Sequence, residues 1–405
     1  MFSVTIEALI KIALLIGGLM TAAAYLVLLE RWIAAWVQDR IGPNRVGVPL
    51  TRIRLFGLGQ PLADGLKFIF KEEHTPKHVD KFLYFLAPLS ILAAALAVFA
   101  VIPFGSVLPK DIGIEGVHNP IPLVVAPGID VGMIYVFAVS SIAVYGVLLG
   151  GWASNNKYSF LGGLRSSAQL IAYEIPLGLG ILGVVLFSGT LRLENIMLDQ
   201  AQEGAWNAFL QPLGFLVFVV AAFAEAGRLP FDLPEAEQEL IGGYHTEYAG
   251  MKMLMYAVAE FLHMVTASFL IVILFLGGWH LWGMDTDNDV TWTTAILRIV
   301  ILNAKIFAVI LFFMMARWSW PRFRFDQLMA LAWKVMLPLG LVNLVAVAVL
   351  VEYGDRIAAW LGTTPNVALA ACGWGVAILS LVIAGLTGPL ATDNRPRLEG
   401  VTGEW

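Results

Sequence analysis

Charge is scarce in this chain, and so is cysteine. Charged residues fill 14% of 405 positions, while 59% are hydrophobic and the mean hydropathy is +0.79. A soluble domain carries about 25% charged residues. The deficit points to a polytopic membrane protein, one helical bundle in lipid. The single cysteine, Cys372, has no partner for an internal disulfide and falls short of the four thiolates an iron–sulfur cluster needs. The six histidines show no zinc spacing. Any redox cofactor is expected elsewhere. The net charge of −5 comes with no dispersed basic surface, which argues against a nucleic-acid partner. Ten-residue alternating segments are also lacking, which argues against a membrane β-barrel. The N-terminus MFSVTIEALIKIALLIGG has no basic leader and no clear cleavage site, so it reads as a retained first span.

What the chain has is long apolar runs. About 20 apolar residues cross a bilayer as a helix. Nine candidates stand out, at about 4–29, 82–103, 131–152, 161–188, 207–226, 249–280, 294–317, 326–352 and 366–388. The sixth is long enough to suggest tilt or a bend. The segments on one side of this arrangement hold 18 Lys and Arg, those on the other hold 3. The positive-inside rule therefore expects the N-terminus outside and the C-terminus inside.

The first inside segment, 30–81, is too long for a simple connector. Trp32, Ile33, Trp36 and Val37 share a helical face, which suits a short interfacial helix. A Gly/Pro-rich turn follows. A second helix is expected at about 60–72, with Asp64 and Lys67 at i,i+3. Juxtamembrane anchoring explains this segment. So does a docking surface, or a mouth for an amphiphilic ligand.

Among the charges inside the apolar runs, four positions stand out. Glu174 sits mid-way along the fourth, near Gln169 and Tyr173. Glu225 ends the fifth. Glu260 lies in the sixth, with Tyr256 at i−4 and His263 at i+3. Lys305 lies in the seventh, a heptad after Arg298. A mid-span charge costs about 2.5–3.5 kcal/mol on insertion scales, so each must face protein or water. Isolated polar contacts between helices are one explanation. The other is a chain of protonatable groups, since burial and like-charge neighbours raise carboxyl pKa values. Lys305 would then tune a neighbouring carboxylate.

The loop AEAGRLPFDLPEAEQELIGGYHTEYAG (224–250) is the acidic exception on the basic side. It holds Glu225, Asp232, Glu235, Glu237, Glu239 and Glu247, with Arg228 as its one arginine. Asp232 and Glu235 have the spacing of a capping box. Glu235 and Glu239 repel at i,i+4, so a helix here is not built for stability. A solvated acidic loop is the plain reading. Because the loop joins the helices that carry Glu225 and Glu260, it also reads as the inside end of a proton path.

The blocks ERW…DRIGPNRVG (30–47), GQPLADGLKFIFKE (59–72), GGWASNNKYSFLGGLRSSAQLIAYE (150–174), FAEAGRLPFDLPEAEQELIGGYHTEYAG (223–250), AEFLH (259–263) and PRFRFDQLMALAWK (321–334) are together highly specific. On them the chain resembles the H-subunit family of NADH-quinone oxidoreductase, a membrane component of respiratory complex I. The resemblance covers residues 30 to about 350.

It implies a subunit without flavin or iron–sulfur cluster, with quinone as substrate. The subunit would join the peripheral redox arm to the antiporter-like membrane subunits. It would line the quinone tunnel with Glu30, Arg31, Arg40, Gln60, Asp64, Lys67 and Arg228. Coupling to proton translocation would run through Glu174, Glu225, Asp232, Glu235, Glu237, Glu239, Glu247, Glu260 and Lys305. The chain departs from the pattern twice. The family core has eight spans, so residues 1–352 would form the core and 353–405 an extension with a ninth span. Trp32 also stands where a basic residue often follows Glu-Arg. Related membrane-bound hydrogenases and other quinone-reducing dehydrogenases use similar subunits. A stand-alone secondary transporter is the rival from another class, although no inverted repeat is visible. Richness in Ala, Gly and Val, with the extra tail, favours a bacterial plasma membrane.

Overall fold

A computed structural model describes residues 2–47, 56–109, 121–232, 241–282, 284, 290–362 and 364–387. Glu235, Glu237 and Glu239, and the capping box expected there, lie outside the described residues.

In chain order the helices are α1 (Phe2–Val37), α2 (Gln60–Phe70), α3 (Lys81–Ala97), α4 (Gly132–Ala153), α5 (Lys157–Ser188), α6 (Leu193–Glu203), α7 (Asn207–Leu210) and α8 (Pro212–Glu225). There follow α9 (Gly250–Phe275), α10 (Trp292–Ser319), α11 (Phe325–Ala330), α12 (Leu337–Leu361) and α13 (Pro365–Thr387). A π-helical turn, Leu331–Met336, joins α11 to α12. No β-strand occurs among the described residues. The protein is an all-α polytopic membrane protein, with eight helices among the described residues long and apolar enough to cross a bilayer.

Three expected elements differ from the sequence reading. The first apolar helix runs unbroken to Val37, so Trp32–Val37 prolong α1 instead of forming a separate interfacial helix. Nothing between Ala22 and Val37 breaks a helix. The fifth run is cut at Gln211–Pro212, which leaves α8 with 14 residues, about 21 Å at 1.5 Å per residue. Pro212 has no N–H to continue α7, but it is well placed as the first residue of α8. The sixth helix stops at Phe275, before Gly277 and Gly278 with φ of +69° and +54°. It therefore has an ordinary length of 26 residues. The C-terminal helix is present as α13, and α2 lies against α1 and α9 with no buried residue and with Leu62, Leu66, Ile69 and Phe70 exposed.

Local signals set several helix ends. The Asp80 carboxylate accepts from the Phe82 and Leu83 N–H groups at the start of α3, and Asn156 accepts from Tyr158 N–H at the start of α5. Such caps satisfy N–H groups that have no partner in the helix. The core centres on α9, where every residue from Met264 to Phe275 is buried, as expected of a helix apolar on all sides. Small residues allow close approach. A Cβ on Gly162 would stand 2.6 Å from the Gly243 Cα, so α5 packs directly on the 241–249 loop.

The basic-side segments meet at one end of the bundle. Asp80 N–H bonds the Ala153 carbonyl, Asn156 bonds Glu247, and Phe323 N–H bonds the Pro230 carbonyl. At the other end Arg192 pairs with Asp130, and Trp282 donates to the Gly204 carbonyl. This is the alternation the span order requires.

Candidate functional site

The inner end of α1 brings Glu30 to Arg228, which follows α8. The Arg228 Nη1 lies 3.3 Å from Glu30 Oε2, and its Nε lies 3.2 Å from Glu260 Oε1 on α9. The guanidinium stacks 4.4 Å from the Phe261 ring centroid and is 4% exposed. A second cation, Arg317 at the end of α10, also pairs with Glu30. Asp232 lies 3.6 Å from Arg322. Burial, and then Glu260, push the Asp232 carboxyl up to about 6, against the pull of Arg317, Arg322 and Arg228. Buried charges are tolerable only when paired in this way.

These residues wall a cavity of about 490 Å³. Its lining includes Glu30, Arg31, Arg40, Arg228, Asp232, Glu260 and Arg317, with Val27, Ala34, Pro43, Phe261 and Trp318 as the apolar part. Size and composition suit an amphiphilic ligand with a polar head. Beside it, Arg31 pairs with Asp64 at 2.7 Å, and Gln60 donates to Asp64 at 3.1 Å. This ties α2 to α1. Lys67 is exposed on α2, 5.7 Å from the Phe68 centroid, and is not part of the cavity wall.

A second cavity of about 80 Å³ lies deeper. Glu174, Glu225, Asp232, Glu260 and His263 line it, together with Ser140, Ser141, Gln169 and Tyr256. A water molecule occupies about 10–15 Å³ by this measure, so several fit. Ser141 donates to Glu174, and Ser140 lines the same cavity as Glu225. Gln169 holds the end of α8 in place by donating to the Ala224 and Phe231 carbonyls at 3.1 and 2.8 Å. As the spacing predicts, Tyr256, Glu260 and His263 face the same space. Asp232 and Glu260 belong to the walls of both cavities.

Two candidates stand elsewhere. Glu247 accepts from Asn156 at 2.7 Å, and its carbonyl accepts from Tyr84 at 2.7 Å. It lines neither cavity. Lys305 donates to the Leu276 and His280 carbonyls, both at 2.6 Å, and lies 4.4 Å from the Trp206 ring centroid. It caps the far end of α9, about 24 Å along the helix from Glu260. No acid lies within ion-pair distance of it among the described residues. Sequence reading missed Arg317, Arg322, Ser140 and Ser141 as site residues. The arginines look like ordinary positive-inside charge, and serines in an apolar helix carry no distinctive signal.

A family model described as NADH dehydrogenase matches residues 10–348. An H subunit of NADH-quinone oxidoreductase from Geobacter metallireducens is 47% identical over 336 residues, which cover 83% of this chain and 94% of that protein. The H subunit of the same enzyme from Flavobacterium johnsoniae is 42% identical over 362 residues, with coverage of 88% and 98%. That of Protochlamydia amoebophila is 45% identical over 328 residues, with coverage of 81% and 92%. The match spans every segment that builds the two cavities, and on it the chain belongs to the NADH dehydrogenase family, the membrane-embedded H subunits of NADH-quinone oxidoreductase.

Proposed function

We propose that this chain forms the membrane wall of a quinone site and couples quinone reduction to proton translocation within NADH-quinone oxidoreductase. The shared wall of the two cavities carries this reading. Asp232 and Glu260 face the space lined by Glu30, Arg31, Arg40 and Arg228, and also the space lined by Glu174 and Glu225. A charge that appears on quinone in the larger cavity acts directly on acids of the inner one. At an effective dielectric of about 20, a unit charge about 10 Å away is worth roughly 1.7 kcal/mol. That is about one pKa unit, enough to move a proton between neighbouring carboxyls.

In this reading Arg228 and Arg317 hold negative charge near the quinone head, and the apolar wall takes its ring. Gln60, Asp64 and Lys67 on α2 border the access route. Glu235, Glu237, Glu239 and Glu247 belong to the loop that senses the change. The chain itself carries no flavin or cluster, and electrons arrive from a peripheral-arm subunit docked at the basic end. Antiporter-like subunits receive the change from the acids. The basic end faces the cytoplasm of a bacterium, with the N-terminus outside and the C-terminus inside. Residues 1–352 form the core and 353–405 an added segment, which is supported by a family match ending at residue 348.

Glu225→Gln tests the reading, because Glu225 lines the inner cavity alone of the two. NADH oxidation by an artificial acceptor should be unchanged, while proton pumping per electron falls. Parental pumping in this variant removes Glu225 from the path.

A further inference from the structure

We propose that the hydroxyls of Tyr248 and Tyr256 form a proton-relay branch that feeds the inner cavity from solvent at the basic end, apart from the quinone cavity. The proposal rests on the reading of the inner cavity as a proton-coupling site.

Three tyrosine rings stack between that surface and the cavity. Tyr84 and Tyr248 lie face to face, with centroids 4.2 Å apart and planes 8° apart. Tyr248 meets Tyr256 edge-on at 4.9 Å. Their hydroxyls differ in employment. Tyr84 donates to the Glu247 carbonyl at 2.7 Å, so its proton is committed. Tyr248 and Tyr256 are 6% and 3% exposed, and neither hydroxyl oxygen has a hydrogen-bond partner among the described residues. A buried hydroxyl left unsatisfied is destabilising, and proteins commonly place water at such points.

The backbone of α4 makes the room. A Cβ on Gly150 would stand 2.4 Å from the Tyr256 hydroxyl and 3.6 Å from that of Tyr248. Glycine there leaves both oxygens facing bare backbone. Tyr256 is in the wall of the inner cavity and not in that of the larger one. Tyr248 follows Glu247, a half-buried carboxylate at the surface held by Asn156. Exposed Glu73 and its partner Lys252, 3.3 Å apart, lie on the same side. Lys252 also sits 5.3 Å from the Tyr84 ring centroid and anchors the stack.

The chemistry conserves charge. Hydronium from solvent at the basic end gives its proton to a lone pair of the Tyr248 oxygen and leaves as water, while the phenolic proton passes toward Tyr256, and Tyr256 repeats the step toward water and acids in the cavity. No electron moves, and each phenol ends neutral. Burial raises the Tyr248 phenol above its ordinary range, which keeps it un-ionised and able to donate.

In the intact enzyme in its native membrane, Tyr248→Phe and Tyr256→Phe each remove one oxygen and keep the ring. Quinone-reductase turnover should fall by about tenfold or more, and the solvent deuterium isotope effect on the remainder should rise. NADH oxidation by an artificial acceptor should stay at the parental rate. Tyr84→Phe is the packing control, with an unmoved isotope effect. Turnover within about twofold of the parent and an unmoved isotope effect in both variants overturns the branch. An equal rise in Tyr84→Phe also overturns it. If Glu225→Gln uncouples while the tyrosine variants are silent, the cavity reading stands and the branch falls. If Glu225→Gln is silent too, the cavity reading falls with it.

Discussion

Arg228 Nε meets Glu260 at 3.2 Å, and the same guanidinium reaches Glu30 at 3.3 Å. One cation thus joins α1, the loop after α8 and α9. Removing one partner from a buried pair costs about 3–5 kcal/mol, because the remaining charge is left uncompensated. Arg228→Ala should reduce the amount of assembled enzyme and raise the apparent KM for a short-chain quinone. Arg228→Lys keeps the charge but loses the fork and the stack on Phe261, so it should recover assembly better than affinity. Quinone titration of both variants checks this. Parental KM values would remove Arg228 from the quinone wall.

Glu174 sits across the inner cavity with Ser141 as its donor. Glu174→Gln keeps the acceptor oxygen and deletes the carboxyl. Assembly should be retained, while proton translocation per electron drops in reconstituted vesicles. A parental ratio would show that the group is only a contact between helices.

Asp232 supplies a pH signature. Its carboxyl is raised from an ordinary 3.8 to about 6, so between those values the folded protein holds a proton that the unfolded chain has lost. Stability from this group therefore falls as pH rises through that window, and the full cost is present above about 6. Thermal melts of the purified enzyme should show Asp232→Asn gaining on the parent from pH 5 to pH 7.5. A gap that narrows over that range contradicts the assignment. A protonated-carboxyl infrared band that titrates near pH 6 and is absent from the variant is the direct check.

Lys305 holds two carbonyls at the end of α9. Hydrogen bonds to a charged group contribute about 1.5–3 kcal/mol each. Lys305→Met should lower the melting temperature and leave proton translocation per electron unchanged. The opposite pattern, a parental melt with lost pumping, would return Lys305 to the coupling chain that the family resemblance implies.

The C-terminal helix α13 packs on α12, α7 and α8, and a Cβ on Gly373 would stand 2.5 Å from the Leu210 carbonyl. It touches neither cavity. Truncation after Leu361 should preserve the KM for quinone and weaken the region around the Gln211–Pro212 break. Faster proteolysis at residues 204–212 in the truncated enzyme is the expected readout. A changed KM would tie α13 to the site.

The helical class, nearly every span, the side on which the basic segments gather and the carboxyls set into apolar helices are legible in the residues alone. Those properties are local. A backbone in lipid must satisfy its own hydrogen bonds, so an apolar run of about 20 residues becomes a helix almost regardless of its neighbours. The break at Pro212 went unread inside the 207–226 run, although its cause is as local as one missing N–H. Tertiary structure decided which charges meet. Glu30, Arg228, Glu260 and Arg317 are up to 287 positions apart, and nothing periodic links them. Their pairing follows from how each helix is rotated, and contacts such as Gly162 on Gly243 set that rotation. The same rotation turns Asp232 and Glu260 toward two cavities at once and carries Lys305 to the far end of α9. A charge in an apolar run announces that it needs a partner. Which partner it finds is a matter of packing.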